Sequence, residues 1–354
     1  MIISNRVSGI RNRSPRLKAA TQTGYSLGVT AARIFSTDSL SADRFVLSAV
    51  LPAGSDGERQ HWIAGSAIEV DIAISPDQNA PYQGIIQGRV DQVTLDPLHN
   101  TLHLTGRDFS ASLLQHPLRE TFVNQTASEI VKHIAGQHNL EPRTTATYAM
   151  IGRTDNGGHT KFTLPRHTSA TTHWDLLADL ARSENYDLYV FGRQLHFHPR
   201  SSSLNETAKQ LHCGDAIDVR FQRVLPMSAT PTVSVESWNA KTQTVIKHFE
   251  EFHVNGDLNP IASDLISSGS TLHIMRPNLA RSDAELLARQ YGGDLLNGMS
   301  HLELTVPGDV NLRPREQFIL TGSSGLDGTY RIVSLESSFH NRRGFIQKVL
   351  AHTM

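Results

Sequence analysis

Residues 301–350 read HLELTVPGDVNLRPREQFILTGSSGLDGTYRIVSLESSFHNRRGFIQKVL, and they carry the clearest structural pattern in this chain of 354 residues. Apolar and polar side chains alternate along several short runs, which is the period of strands with one buried face. Turn-forming residues, mostly glycine and asparagine, separate the runs. The stretch therefore predicts an antiparallel meander with strands at 302–306, 317–320, 329–335 and 345–350.

A fainter copy of this arrangement lies near the N-terminus. A strand-like run at 62–72 leads through Gly84 into a second run at 85–90, and a turn at 96–100 returns the chain as a third run at 101–105. The same order of glycine, strand and asparagine turn occurs in the C-terminal meander. We infer two related β-units, without the fixed period of a solenoid.

Length and charge limit the function. A chain of 354 residues exceeds the usual span of one hydrophobic core, so two or three domains are expected. Its 33 basic and 34 acidic side chains leave a formal net charge of −1, which gives no net field to attract a polyanion or an anionic membrane. Nucleic-acid binding as the main function is therefore disfavoured.

The N-terminus and the cysteine count indicate the compartment. Cys213 is the single cysteine, which excludes an internal disulfide framework and fits a reducing compartment. Residues 1–20 carry five basic side chains and no apolar run long enough for a signal peptide, and no later run reaches bilayer length. We expect a soluble protein made in the cytoplasm, with 1–24 as a basic arm that contacts another subunit or stays poorly ordered.

Helical periodicity appears in the middle of the chain. Thr126-Ala127-Ser128-Glu129 is a capping box that predicts a helix to about His138, and Thr172-His173-Trp174-Asp175 resembles a second helix start. Strands at 186–191 and 194–198 follow, with Gly192-Arg193 as a tight turn between them. Residues 115–200 are thus predicted to form an α+β module.

The rest of the chain gives weaker signals. Strands are predicted at 217–222 and 232–238, whereas 241–280 has no clean period. Ser282-Asp283-Ala284-Glu285 predicts a third helix start, with Gly298 as its end. The predicted domains are the arm (1–24), a first β-barrel (25–114), the α+β module (115–200), a second β-barrel (201–240 with 299–354) and an inserted segment with a helix (241–298).

Candidate catalytic and metal-binding residues are few. His196 and His198 flank Phe197 and so share one face of a strand, where two imidazoles could bind one metal. Neither a His-Glu-x-x-His motif nor a carboxylate cluster accompanies them, so we interpret them as solvent-facing strand residues. His212 and Cys213 are neighbours that would point in opposite directions on a strand, which favours a structural thiol over a nucleophile with its base.

The remaining polar motifs do not converge on chemistry either. Asp175, Asp179 and Glu184 lie on one predicted helix, where a solvated face is more common than a general acid-base pair. Residues 322–325, GSSG, are one residue short of a nucleophile elbow, and no helix follows them. We therefore predict no catalytic, cofactor-binding or metal-binding residues, no cofactor and no enzyme activity.

An ordered series of short segments carries more information. The segments are LTGRDFSASLL (104–114), TFVNQTASEI (121–130), WDLLA (174–178), YVFGRQLHF (189–197) and DGTYRIV (327–333) with Gly344-Phe345. In this order they resemble the late control protein D family, the baseplate hub proteins of tailed phages and related contractile injection systems. The series is also similar to the hub part of type VI secretion spike proteins.

The resemblance implies a mainly β fold with two tail-tube-like antiparallel barrels and an α/β module inserted after the first. It implies a homotrimer whose six barrels match the six-fold tail tube on one side and receive the three-fold spike on the other. Tail tube protein, spike protein, tape measure protein and baseplate wedge proteins are the implied partners, and DNA passes through the channel without specific binding. Such a structural protein would be assembled in the host cytoplasm and lie in the virion, with no membrane anchor.

Two departures and two alternatives accompany the resemblance. Arg315 stands where a glycine is expected before the strand at Phe318, and 241–280 matches no family segment. The sequence shows no appended lysozyme or spike domain. The alternatives are a tail-associated cell-wall hydrolase or metallopeptidase that uses His196 and His198, and a receptor-binding β-protein at the tail tip.

Overall fold

The computed structural model describes residues 15–22, 24–38, 40–51, 56–64, 67–76, 80–151, 170–200, 208–223, 232–239, 243–252, 271–276 and 279–353. The helices are α1 (Asp56–Ala64), α2 (Ser110–Gln115), α3 (Ala127–Gln137), α4 (His173–Glu184) and α5 (Arg281–Met299). The strands of the first half are β1 (Arg16–Thr21), β2 (Ser26–Thr37), β3 (Arg44–Val50), β4 (Glu69–Ser75), β5 (Gln83–Asp96), β6 (Thr101–Asp108), β7 (Gln125–Thr126), β8 (Glu141–Thr144), β9 (Met150–Ile151), β10 (Tyr186–Phe191) and β11 (Gln194–Pro199). The strands of the second half are β12 (Lys209–His212), β13 (Asp218–Arg223), β14 (Thr232–Asn239), β15 (Thr244–Glu251), β16 (Thr271–Met275), β17 (Ser300–Pro307), β18 (Gln317–Thr321), β19 (Gly328–His340) and β20 (Gly344–Thr353).

The first six strands form a closed antiparallel barrel. Their order is β1-β4-β5-β6-β3-β2, and β2 pairs back onto β1 at Leu27 and Ala19. Alternate residues of each strand point inward, so Leu47, Leu102 and Leu104 have no exposed surface. Trp62 from α1 packs into the same core. The barrel therefore closes around a continuous apolar interior.

The second barrel-like unit has the strand order β12-β18-β19-β20-β17-β13. Its pairs are antiparallel except β12 with β18, which is parallel. Leu302, Phe318 and Ile332 are fully buried in its separate core. The end strands β12 and β13 are joined through a short 3-10 turn (Cys213–Asp215), and among the described residues no pair between them closes the barrel.

The α+β module lies between the barrels in sequence. It packs α2, α3 and α4 against the sheet β10-β11-β8, in which β11 pairs antiparallel with β10 and parallel with β8. Both predicted capping boxes of the module are confirmed, at Thr126 with Glu129 and at Thr172 with Asp175. The predicted turn is confirmed too, because Gly192 takes a φ of 57° between paired Phe191 and Gln194.

The inserted segment is larger than predicted. β14 pairs with β15 and β16, and α5 packs on this three-stranded sheet. β14 therefore does not belong to the second barrel, and β15 and β16 lie in the stretch where no period was found. The helix start was also misplaced. The N-cap of α5 is Ala280, whose amide donates to the Asp283 carboxylate at 3.3 Å, so Ser282 is already helical. The predicted end at Gly298 is one residue early.

Three further predictions are wrong. Trp62, placed in a strand, lies in α1, where it is 2% exposed and packs into the core of the first barrel. Residues 110–114, placed in the first barrel, form α2 and pack with the module. The N-terminal arm is shorter than predicted, because β1 pairs with β4 along six residues and buries Ala19. Residues 1–14 lie outside the described ranges.

Candidate functional site

A continuous sheet runs across both barrels. Its order is β5-β6-β3-β2-β19-β20-β17-β13, and every neighbouring pair is antiparallel. The link is β2, which is 12 residues long. One edge of β2 pairs with β3, and the other pairs first with β1 and then, from Ala31 to Thr37, with β19. One strand is thus shared by two barrels.

The outer face of this sheet points away from both cores and carries charges of both signs. Arg33 pairs with Glu336 at 3.3 Å, and Arg220 pairs with Asp218 at 3.0 Å. Arg107 binds the Asp91 carboxylate with two nitrogens, at 2.7 and 3.0 Å. Exposed pairs of this kind add little to stability. Their effect is to give the face a mixed and locally balanced charge.

The two ends of the eight-strand run have open edges in the described structure. β4 pairs with β5 between Gln83 and Arg89, whereas β6 pairs with the other side of β5 between Gly88 and Asp96. Residues 91–96 of β5 therefore have a neighbour on one side in the described ranges. β13 likewise pairs with β17 alone among the described strands. Unpaired strand edges are templates for the addition of another strand.

The β13 edge also exposes an apolar side chain. Phe221 pairs with fully buried Leu302 of β17, yet 41% of its own surface is exposed. Ile217, which precedes the strand, is 59% exposed. Apolar side chains at an open edge are avoided in monomers because they promote edge-to-edge association. This edge is therefore a candidate site for contact with another protein chain.

A buried ionic joint holds the module against both barrels. Arg331 of β19 donates two hydrogen bonds to Asp187 of β10, at 2.8 and 3.0 Å, and lies 3.8 Å from the Asp38 carboxylate next to β2. The side chains of Arg331 and Asp187 are 12% and 13% exposed. Burial raises the pKa of Asp38, and the Arg331 guanidinium opposes that shift. A planar guanidinium that binds two carboxylates fixes their relative position.

Arg315 is a second part of the joint. Its Nη1 donates to the Thr37 carbonyl at 2.8 Å, and its guanidinium lies over the Tyr189 ring of the module at 4.0 Å. Burial lowers the pKa of Arg315, and Asp43 is the largest opposing influence. The backbone φ of Arg315 is 75°, a conformation that favours glycine. The glycine expected at this position is therefore replaced by a residue whose side chain bridges two domains.

A buried carboxyl group completes this region. Asp108, at the end of β6, is 5% exposed and accepts hydrogen bonds from the Ser110 amide and hydroxyl at 3.2 and 2.5 Å. Burial, followed by the nearby charge of Asp43, raises the pKa of Asp108 to about 8. Asp108 is therefore protonated at neutral pH.

His196 and His198 share one face of β11, with ring centroids 5.7 Å apart. The His196 ring stacks on Tyr189 at 4.5 Å and 2°, and His198 Nδ1 lies 2.9 Å from the Thr145 hydroxyl. Burial, followed by His198, lowers the pKa of His196 to about 4. His196 is half-buried rather than fully solvent-facing, because Tyr189 covers its ring and its Nε2 atom is inaccessible to solvent. Within the described ranges, no group of three His, Cys, Asp or Glu side chains could hold a metal ion.

The other candidates have structural roles. Cys213 is half-buried against the second core, and His212 accepts a hydrogen bond from the Gly214 amide at 3.1 Å. Asp175 is the capping carboxylate of α4, and Asp179 pairs with Arg182 at 3.2 Å. Asp175, Asp179 and Glu184 are all partly exposed. No helix of the described structure is long and apolar enough to cross a membrane.

One polar cluster was missed at the sequence level. His116, His138 and His173 lie at the ends of three different helices, and their rings contact one another, with His173 buried and His116 exposed. Their separations along the chain, 22 and 35 residues, match no motif, so no local signal could have found them.

No protein-family model matches the chain, and no curated protein matches it. Solved structures do. A tail protein from Neisseria meningitidis MC58 aligns with a TM-score of 0.71 and 12% identity, over 96% of both chains. The fold is that of phage tail proteins. The 43 kDa tail protein of prophage MuSo2 from Shewanella oneidensis aligns with a TM-score of 0.68 and 15% identity, over 96% of this chain and 98% of its own.

A third similar structure comes from a secretion system. An E. coli type VI secretion component, described as similar to the phage T4 tail proteins gp27 and gp5, aligns with a TM-score of 0.57 and 11% identity. The alignment covers 95% of this chain and 77% of that chain. The coverage shows that the likeness extends over both barrels and both insertions. The fold predicted from the sequence, mainly β with two tail-tube-like barrels and an α+β insertion, is confirmed.

Proposed function

We propose that this chain is a structural protein of a phage tail or tail-like particle, where it forms the central baseplate hub. The observation that carries the proposal is the eight-stranded sheet that spans two barrels and ends in two open edges. It occurs in a fold shared with phage tail proteins. A sheet with open edges at both ends is suited to continue into further copies of itself.

The proposed assembly is a ring of three copies. Directions alternate along the eight strands, so β13 of one copy and β5 of the next would meet antiparallel. The contact would join residues 218–223 to residues 91–96. A head-to-tail contact of this kind generates a closed ring when the rotation permits. Three copies then present six barrels, which adapts a six-fold tail tube to a three-fold spike.

The proposed channel is lined by the outer face of the shared sheet. Its paired charges, such as Arg33 with Glu336 and Arg107 with Asp91, leave little net attraction for phosphate groups. DNA would pass without being held. The proposed neighbours are the tail tube and spike proteins, with the tape measure and baseplate wedge proteins as further contacts. The proposed location is the virion, after assembly in the host cytoplasm.

The proposed role is non-enzymatic. The hydrolase alternative depended on His196 and His198. The His196 ring is stacked on Tyr189 and half-buried at the joint, with its Nε2 atom inaccessible to solvent, which argues against substrate access. The receptor-binding alternative has no specific observation in its favour.

The test is the mass of the purified chain in solution by light scattering, over a range of concentrations and with the spike protein added. We expect a trimer for the natural sequence and a monomer for Phe221→Lys, since a charged edge residue opposes strand addition. Phe221→Leu is the matched control and should remain trimeric. A monomer under every condition, in a folded protein by circular dichroism, would refute the ring.

A further inference from the structure

Three imidazoles pack together where the module joins the first barrel. His116 follows α2, His138 caps the C-terminus of α3, and His173 is the first residue of α4. The ring centroids are 4.5 Å apart for His116 and His173, 5.2 Å for His138 and His173, and 5.3 Å for His116 and His138. His173 is 1% exposed. His138 is half-buried and His116 is exposed, so the three titratable rings extend from the protein surface to a buried position at His173.

The hydrogen bonds of the cluster fix which group donates and which accepts. The Ser112 hydroxyl donates its proton to the Phe109 carbonyl at 2.8 Å, so its oxygen must accept from His138 Nδ1 at 3.0 Å. Neutral His138 then has a lone pair on Nε2, which accepts from His173 Nδ1 at 3.0 Å. Ser112, His138 and His173 each donate one hydrogen bond in this series. All three hydrogen bonds form when both imidazoles are neutral.

Backbone bonds beside the cluster, together with the Trp174 side chain, connect the helices with one another and with the barrel. The His173 amide donates to the His116 carbonyl at 3.1 Å, and Pro117 forms an isolated bridge with Thr172. The next residue, Trp174, donates from Nε1 to the Leu40 carbonyl at 2.9 Å. Leu40 lies between β2 and β3 of the first barrel. The contact between α4 and the barrel therefore begins one residue from the cluster.

The electrostatic surroundings disfavour charge on these rings. Burial, followed by His173 and His116, lowers the pKa of His138 to about 4. Burial, followed by His116, also lowers the pKa of His173, and His133 adds to this shift. Among the described residues, the carboxylate acting on His173 in the opposite sense is Glu120. Glu120 is itself bound to His133 and Gln137 on α3, so it is not free to neutralise the cluster.

We propose that His116, His138 and His173 form an acid-operated latch, which holds α2, α3 and α4 together at neutral pH and releases the module from the first barrel in acid. Protonation of His138 at Nε2 would place two N–H donors face to face. It would also put a positive charge beside two other imidazoles. The latch is a conformational device that is independent of the proposed ring, because every contact in it lies within one chain.

The direction of the pH effect follows from the lowered pKa values. In the released state His138 would return to its ordinary value of 6.5, so that state binds the extra proton more readily. The latch is therefore fully closed above pH 6.5 and weakens as the pH falls toward about 4. Solvent reaches part of the His138 ring, which reduces the effect, and we expect roughly a tenfold shift in the opening equilibrium.

The test is amide hydrogen exchange by mass spectrometry on the full chain in EDTA, at pH values from 7 to 4, with exchange rates corrected for their intrinsic pH dependence. We expect protection at 110–118 and 171–184 to fall about tenfold across this range, while β3 keeps its protection. Unchanged protection at 110–118 and 171–184 down to pH 4 would overturn the latch without any variant. The result does not depend on whether the chain is a monomer or a trimer.

Variants assign the effect to the cluster. His138→Gln retains an acceptor for His173 and cannot be protonated, so its exchange at 171–184 should lose most of the acid dependence. His116→Gln removes one repelling charge and should weaken the acid effect, which gives a second variant if the first does not fold. His103→Gln, on the outer face of the first barrel, is the matched control and should behave like the natural chain. An undiminished acid response in both His138→Gln and His116→Gln would overturn the proposal.

Discussion

Asp108 and Asp43 are two carboxyl groups in one buried region between the first barrel and the module. Asp108 is 5% exposed, and its carboxyl group accepts hydrogen bonds from the Ser110 amide and hydroxyl and a backbone hydrogen bond from Asp43. Asp43 accepts from the Thr37 amide at 3.2 Å, and burial raises its pKa as well. Two charged carboxylates here would repel each other in a poorly solvated site. The stable arrangement keeps Asp108 neutral.

Asp108→Asn should stabilise the protein in alkaline solution. The pKa of Asp108 is raised from 3.8 to about 8. The contribution of protonated Asp108 to the free energy of unfolding is therefore full below pH 3.8 and is lost as the pH rises through about 8. Asparagine cannot ionise, and its Oδ1 can accept both Ser110 bonds. We expect the free energy of unfolding to exceed that of the natural chain by about 2–4 kcal/mol at pH 9 and to differ by about 1 kcal/mol or less at pH 5.

Urea unfolding of both proteins at the two pH values measures this difference. Asp71→Asn, which removes an exposed carboxylate from β4, is the control and should change stability little at either pH. An Asp108→Asn protein that gains nothing between pH 5 and 9 would show that Asp108 titrates normally.

Arg315→Gly separates backbone strain from side-chain contacts. Glycine relieves the cost of a positive φ, about 1 kcal/mol, but loses the bond to Thr37 and the contact over Tyr189. It also removes one of the two guanidinium charges, those of Arg315 and Arg313, that act on Asp43. We expect a net loss of about 2–3 kcal/mol in urea unfolding. Arg315→Lys should lie between the two, since it retains charge but not the planar stack. A glycine variant more stable than the natural chain would mean that strain dominates.

Single elements were predictable where their signals are local. Thr126 with Glu129 and Thr172 with Asp175 satisfy helix amides within four residues, so both starts could be predicted from the sequence alone. α5 was misplaced because its cap is the carboxylate of Asp283 acting on Ala280, without a hydroxyl partner. The last residues of α1, 62–64, were predicted as part of a strand reaching residue 72, because their apolar side chains precede the alternating residues of β4.

Thr126→Ala tests the capping box at the start of α3. The Thr126 hydroxyl accepts from the Glu129 amide at 3.3 Å and lies 3.2 Å from the Ser128 hydroxyl. Its loss should lower the free energy of unfolding by about 1 kcal/mol in urea titration. Thr126→Ser retains the hydroxyl and should remain within about 0.5 kcal/mol of the natural chain. Equal losses in the two variants would assign the effect to the methyl group rather than to the cap.

At the scale of the whole molecule, the features that matter for function join residues far apart in sequence. β2 pairs with β19 about 300 residues later, and Arg331 reaches Asp187 across 144 positions. The alternation within each strand predicts the strands but not their partners, because strand pairing depends on how the layers pack. The shared sheet and the joint were therefore beyond sequence reasoning, apart from the two related β-units. The missing glycine at Arg315 was the one local sign of the joint.

The joint makes a prediction about cooperativity between the module and the barrels. Arg331→Met removes the buried partner that Asp187 and Asp38 share, and it leaves Asp187 with Arg200 alone at 3.3 Å among the described ion pairs, so we expect a loss of about 3 kcal/mol in the free energy of unfolding. Asp187→Asn should lower the free energy of unfolding by less, since Arg331 retains Asp38 as a partner. In the double variant the losses should be less than additive, with a coupling of about 1–3 kcal/mol.

Hydrogen exchange on the Arg331→Met protein tests the same point at the level of the module. If the joint makes one cooperative unit, protection should fall in β10 and β11 while β6 in the closed barrel retains it, because the module would open without the barrel. The Arg143→Met variant, which removes an exposed arginine paired with Glu141 on β8, is the control and should leave both regions unchanged. If the stability losses of Arg331→Met and Asp187→Asn are additive in the double variant, and protection in β10 is unchanged, apolar packing alone fixes the position of the module. In that case the buried arginine would not set the position of the module relative to the two barrels that share one sheet.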